Sequence, residues 1–306
     1  MIIIRLQGGL GNQMFQYALG RHLSLKNNCQ LKLDLSLLLD HSSKSDKAVH
    51  RNFELDVFDL DLQFAEKEEV ISIVGSRSKS VLGKVKNLTL NKLGLRKYKI
   101  EKDRSFAPSI LKTPSGHCLS GGWQSPRYFE EIESTIRKDF QFTKDVSDST
   151  EYKNYQAAIS KGINIGVHVR RGDYISNKYY NDLLGVQPLA YYYNSLKMIK
   201  QKVSEISNVF VFSDDIDWCM ENFMFDEKAI FVKNDRSKVG AARDLSLLAQ
   251  CQHHVISNST FSWWGAWLSQ TEKKVVVAPK NWVSPKYLNN KTINAKDIIP
   301  NNWIRL

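Results

Sequence analysis

Asn164-Ile165-Gly166-Val167-His168-Val169-Arg170-Arg171-Gly172-Asp173-Tyr174 is the stretch on which the reading of this chain turns. An apolar, β-branched run breaks off into a dense polar cluster, as a buried strand does where its carboxyl end opens into a loop. The same unit recurs downstream. Asn208 to Phe212 reads as a strand ending at Ser213-Asp214-Asp215, Ala229 to Val232 and His254 to Ser257 as further strands, and Lys274 to Ala278 as the last one. Helical stretches lie between them at Leu189 to Glu205, Ala241 to Gln250 and Phe261 to Leu268. Strands alternating with helices specify a mostly parallel sheet. Ligands of such sheets sit beyond the carboxyl ends of the strands, where this chain places three polar clusters: His168 to Tyr174, Ser213 to Asp217 and Ser257 to Ser262.

A second α/β unit opens the chain. Ile2 to Leu6 reads as a short buried strand, Gln7 to Gln13 as a Gly-rich turn, Met14 to Lys26 as a helix and Gln30 to Asp34 as a strand. Residues 40–150 are basic, mixed and partly helical. The polar stretch Lys144 to Thr150 marks the expected boundary between a domain over 1–150 and one over 151–306.

Composition narrows the class. Of 306 residues, 42% are hydrophobic and 25% charged, which suits a packed core rather than disorder. The longest apolar runs, such as Val209 to Phe212, are strand-sized, and a spanning helix needs roughly 20 apolar residues. The opening Met1-Ile2-Ile3-Ile4-Arg5 is too short for a signal peptide, so the expected location is the cytoplasm. The four cysteines are far apart with no C-x-x-C pair, which favours free thiols over zinc or disulfides. The net charge is +11, and between Arg77 and Arg104 ten Lys or Arg stand against two acids. That stretch reads either as a solvated face or as a patch for peripheral contact with anionic membrane or a lipid-linked diphosphate. Nucleic acid is not an expected partner, because no nucleic-acid-binding motif accompanies the charge.

Each cluster carries a chemistry. An Arg at a strand end can grip a phosphate bidentately and remain charged. If a sugar departs from a diphosphate, Arg170 stabilises the leaving group more as the bond breaks. Ser259, Thr260 and Phe261 precede or begin a helix, whose free N–H groups form an anion site. Asp214 is placed to accept from the N–H edge of guanine. Asp215 and Asp217 match a D-x-D metal pattern, but capping of the next helix is the preferred reading for them. Gly9 and Gly11 belong to Gly8-Gly9-Leu10-Gly11-Asn12, where glycine permits close approach to a ligand or simply makes a tight turn.

Three motifs together resemble a known family: Gln7-Gly8-Gly9-Leu10-Gly11-Asn12-Gln13-Met14-Phe15-Gln16-Tyr17, His168 to Tyr174, and Ser257-Asn258-Ser259-Thr260-Phe261-Ser262-Trp263-Trp264. Their order and spacing resemble the bacterial α-1,2-fucosyltransferases of glycosyltransferase family 11. The resemblance implies an α/β fold of GT-B type, two Rossmann-like domains facing across a cleft. It implies inverting transfer of L-fucose from GDP-β-L-fucose to the 2-hydroxyl of a galactose-terminated glycan of surface-polysaccharide or O-antigen type, without a metal or other cofactor. By similarity, Arg170 binds the pyrophosphate and His168 and Asp214 contact the guanosine. Ser259, Thr260 and Phe261 hold the phosphates and fucose, with Gly9 and Gly11 on the donor side, while Asn12 lies near the reacting sugar. Arg171 and Asp173 support the site. Asp173 and Asp182 are the nearest candidates for the base that takes the acceptor proton. Two readings compete: another GDP-sugar transferase, and a non-catalytic module binding nucleotides or polyanions.

Overall fold

The computed structural model describes residues 1–40, 51–75, 97–203, 205–288 and 294–306. Most of the basic stretch from Arg77 to Arg104 therefore lies outside the described residues. Among the described residues ten strands form two sheets, and every pairing within them is parallel.

The first sheet holds β1 (Ile2–Arg5), β2 (Leu31–Asp34), β3 (Tyr98–Ile100) and β4 (His117–Ser120), in the order β2-β1-β4-β3. Three consecutive isoleucines make β1 a natural central strand, and all three are fully buried. Helix α1 (Leu10–Lys26) follows directly. It begins four residues earlier than its pattern suggests, so Gly11 and Asn12 lie in its first turn rather than in a loop. The cause is tertiary: the Glu54 carboxylate accepts the Leu10 N–H at 2.6 Å and caps the helix from another part of the chain. Nearly every side chain of α1 is buried, including Gln13 and Gln16.

The second sheet holds β5 (Asn164–Val169), β6 (Asn208–Ser213), β7 (Ala229–Phe231), β8 (His253–Val255), β9 (Val276–Ala278) and β10 (Ile304–Arg305). Their order is β10-β9-β8-β5-β6-β7. Numbered from its own first strand and read from the other edge, this is 3-2-1-4-5-6, the doubly wound order of a nucleotide-binding sheet. Helix α2 (Lys238–Gln250) precedes β8 and α3 (Thr260–Leu268) follows it. The expected last strand at Lys274 to Ala278 is followed by β10, which adds to its edge through Ile304↔Val277.

Two doubly wound sheets facing across a cleft make a GT-B type fold. Their hydrophobic cores are not separate, however. One buried cluster runs from Ile4, Phe15 and Leu19 in the first unit through Trp263, Trp264 and Trp303 in the second. Phe129 stacks on Trp264 at 5.3 Å, and Phe15 packs on Trp263 at 4.5 Å. The three tryptophans of α3 thus all work as core. At the crossing of α1 and α3 a side chain on Gly11 would meet the Thr260 carbonyl carbon at 2.5 Å, and the Trp264 indole N–H donates to Gly11 O at 3.0 Å. Only glycine admits that approach. No helix among the described residues is long and apolar enough to cross a membrane.

Candidate active site

Strand order locates the site. The chain leaves β5 toward β6 on one side and returns to β8 on the other, opening a crevice beyond the carboxyl ends of β5 and β8. His168, the penultimate residue of β5, meets Ser257, just past β8, through Nδ1···Oγ at 2.9 Å. The first sheet does the same beyond β1 and β4. There the Gln124 side-chain amide donates to Asn12 Oδ1 at 2.7 Å. Both crevices open into one cleft of about 730 Å³. His168, Arg170, Asp173, Asp214, Ser259, Thr260, Phe261, Gly9, Gly11 and Asn12 all line it. Asp182 does not, and it is half-buried outside the cleft.

Arg170 is the centre of the second-sheet wall. One terminal nitrogen contacts Asp173 at 2.6 Å and the other contacts Asp214 at 2.9 Å. Burial works against its charge, but Asp214 and Asp173 outweigh it and lift the pKa further above its ordinary value. The guanidinium is therefore permanently charged and fixed in direction. Its Nε is buried and has no partner among the described residues. A buried, charged donor without a partner costs free energy unless something accepts from it, and an anion in the cleft would do so. Beside it, burial and the Arg170 charge push His168 down to about 3, so its ring is neutral at any ordinary pH. The Phe261 ring lies 5.3 Å from that of His168. Ser259 is the N-cap of α3 and makes no side-chain cap bond, leaving the first N–H groups of the helix without that partner.

Asp214 spends its oxygens on Arg170 and on the Arg171 N–H at 2.9 Å, and it packs against Gly172, where a side chain would meet it at 2.4 Å. Arg171 turns away from the cleft, pairs with Asp215 at 3.0 Å and lies over Trp218 at 3.5 Å. Asp215 is thus tied to a guanidinium. Among the described residues no three His, Cys, Asp or Glu side chains gather as a metal set would.

Several cleft residues escaped the sequence reading. A strap over residues 51–56 crosses the gap. Arg51 reaches Asp173 at 2.6 Å, Glu54 caps α1, and Asp56 meets Lys238 at 2.6 Å. Gln13 fixes the strap, donating to Gly8 O and Asn52 O at 2.8 Å each and accepting the Glu54 N–H at 2.9 Å. Gln16 ties the β1 loop to the β4 loop through Gln7 O and Gly121 O, both at 3.1 Å. The motif glutamines are therefore scaffolding. At the far end of the cleft Asp244 is buried beside Asn234, which donates to its Oδ2, while Oδ1 has no partner. Burial pushes this carboxyl up to about 8, so it is mostly protonated at neutral pH.

The chain is similar in sequence to known proteins. The chain is 33% identical over 310 residues to the O-antigen biosynthesis glycosyltransferase WbnK of Escherichia coli, covering 98% of this chain and 99% of that protein. It is 30% identical over 311 residues to an alpha-1,2-colitosyltransferase of Escherichia coli, covering 100% and 99%. A galactoside alpha-(1,2)-fucosyltransferase 1 of Mus musculus is 26% identical over 159 residues, covering 49% and 41%. Among solved structures, the NodZ alpha-1,6-fucosyltransferase soaked with GDP-fucose aligns at 15% identity over 87% of this chain and 92% of that one, with a TM-score of 0.47. The model of glycosyl transferase family 11 matches residues 72–306, and the chain is a glycosyltransferase belonging to that family.

Proposed function

We propose that this protein transfers L-fucose from GDP-fucose, with inversion, to the 2-hydroxyl of a galactoside within an O-antigen-type glycan. The observation that carries the reading is Arg170: a charged, fixed guanidinium with a buried, unpartnered N–H at the carboxyl end of β5. It stands in the same wall as the first turn of α3. Together they suit a diphosphate whose negative charge grows as the sugar leaves. Gly9, Gly11 and Asn12 face it from the other wall, where the sugar and acceptor would lie. Asp244 Oδ1, which accepts nothing from the described residues while Asn234 donates to Oδ2, supports placing the guanine edge at that end. Two N–H donors from the base would satisfy the carboxyl and favour its ionised form. Asp173 and Asp214 then serve the nucleotide by holding Arg170.

A second reading, colitose in place of fucose, is favoured by the colitosyltransferase that aligns with the whole chain. Reaction at the cytoplasmic membrane face on a lipid-linked acceptor, with the basic stretch against anionic lipid, belongs to both readings. The test is incubation of the purified protein with GDP-fucose or GDP-colitose and a β-galactoside, with and without EDTA, following GDP release and product mass. Fucosylated product formed equally in EDTA is expected. Product from GDP-colitose alone selects the second reading, loss of activity in EDTA brings the Asp215–Asp217 metal reading back, and GDP binding without turnover selects the non-catalytic module.

A further inference from the structure

An acceptor hydroxyl must give up a proton as the new glycosidic bond forms. Among the described residues four carboxyl groups line the cleft: Glu54, Asp173, Asp214 and Asp244. Three are committed elsewhere. Asp173 holds Arg170 through one oxygen and Arg51 through the other, each at 2.6 Å. Asp214 holds Arg170 and the Arg171 N–H. Asp244 lies on α2 at the far end of the cleft beside Asn234, away from the Gly-rich turn.

Glu54 differs from Asp173 and Asp214 in lacking a salt bridge among the described residues, and from Asp244 in standing beside the Gly-rich turn. It makes no ion pair within 4 Å among the described residues, and a single hydrogen bond, from the Leu10 N–H to Oε2, fixes its carboxylate. Oε1 accepts nothing from the described protein. Its backbone is equally fixed, because the Glu54 N–H donates to Gln13 Oε1 at 2.9 Å. The carboxylate stands beside Gly9, whose missing side chain would come within 3.9 Å of Oε2. Both Gly9 and Glu54 line the cleft. Burial raises the Glu54 carboxyl above its ordinary value, outweighing the Leu10 N–H and the charges of Arg51, Lys238 and Arg170. Such a shift strengthens a carboxylate as a base at neutral pH. The side of approach also fits. Inversion places the attacking oxygen on the face of the sugar opposite the leaving group. Arg170 belongs to the second-sheet wall, and Glu54 reaches the cleft with the first-sheet wall.

We propose that Glu54 is the catalytic base, its Oε1 taking the proton of the acceptor hydroxyl. This rests on the transferase reading above. As the acceptor oxygen bonds to the anomeric carbon, its proton passes to Glu54. The bond from that carbon to the diphosphate oxygen breaks, its electron pair leaves with the nucleotide beside Arg170, and Glu54 later returns the proton to water.

The test is Glu54→Gln in the full chain, with Glu54→Asp beside it. Glutamine keeps an oxygen for the Leu10 N–H, so the helix cap survives. Expected for Glu54→Gln are an unchanged Tm, GDP affinity within about twofold, and transfer lowered on the order of 10²- to 10⁴-fold. The acid limb of the kcat–pH profile, which in the wild type reports a carboxyl that must be ionised, disappears in Glu54→Gln. Glu54→Asp keeps that limb at a reduced rate. Glu54→Gln turning over near the wild-type rate with its acid limb intact would overturn the assignment. So would parallel losses of Tm, GDP affinity and transfer, which would make Glu54 a structural cap only. A wild-type protein that binds GDP but turns over no GDP-sugar fails the transferase reading itself, and the base falls with it.

Discussion

On the second-sheet wall of the cleft, a guanidinium is clamped between Asp173 and Asp214 beside a histidine that burial keeps neutral. On the first-sheet wall a neutral amide, Asn12, held by Gln124, faces the cleft with Gln13 and Gln16 buried behind it, and the strap beside it adds one carboxylate, Glu54, and the guanidinium of Arg51. The two sheets share strand direction and the use of their carboxyl ends, yet they present opposite chemistries. A fixed charge stabilises an ion that keeps its charge throughout the reaction and gains more. Amides suit a neutral, polyhydroxylated partner, since they donate and accept without the desolvation cost that a buried charge carries. The difference supports the proposed arrangement, with nucleotide diphosphate at one wall and sugars at the other.

Breaking the charged wall should have the largest effect. Arg170→Ala is expected to lower transfer on the order of 10²-fold or more, about 2.7 kcal/mol or greater, and to weaken GDP binding as well. Initial rates of GDP release and a GDP titration measure both. Intact turnover in this variant would dissolve the contrast. Next comes the junction between the walls. Gly11→Ala forces a methyl group against the Thr260 backbone and should cost about 1–3 kcal/mol, a drop of a few degrees in Tm by calorimetry. Because the core is continuous, one cooperative transition is expected to shift as a whole, whereas two separate transitions would show walls that fold independently. The smallest effect belongs to the amide wall. Asn12→Ala removes one neutral hydrogen-bonding group, worth about 1 kcal/mol or roughly fivefold, and should appear in transfer and acceptor KM while GDP affinity stays put. An equal loss of GDP affinity would place the nucleotide on both walls.

The second sheet was legible because β5 and β6 are apolar runs ending in polar clusters, with helical stretches between the strands, and that alternation is local. β3 and β4 were not legible. Tyr98-Lys99-Ile100 and His117-Cys118-Leu119-Ser120 are three- and four-residue segments in a basic, mixed region, and only pairing with each other and with β1 makes them strands. β10 is shorter still and exists because Ile304 and Arg305 find the edge of β9. The start of α1 was misplaced for a related reason, since its cap, Glu54, lies 44 residues away. The gathering of the ten motif residues in one cleft was legible because they occupy strand ends or helix starts. Glu54 and Asp244 were not. Glu54 sits in Arg51-Asn52-Phe53-Glu54-Leu55-Asp56, a stretch of mixed charge with no periodicity. Asp244 lies mid-helix, where a single acid looks like part of a solvated face. Only burial separates it from one.

Gly11 also sets how the two halves can move. Where two helices touch backbone to backbone, neither can slide without a clash, and neither can lift without exposing the tryptophans stacked behind them. The contact with Thr260 therefore acts as a fulcrum inside the cleft rather than a hinge at its back. A rocking of one sheet against the other would leave the gap between Gly11 and Thr260 nearly constant, while the end marked by Asp244 would travel furthest. The reacting bond would lie close to the still point of that motion, and the nucleobase near the end of the lever.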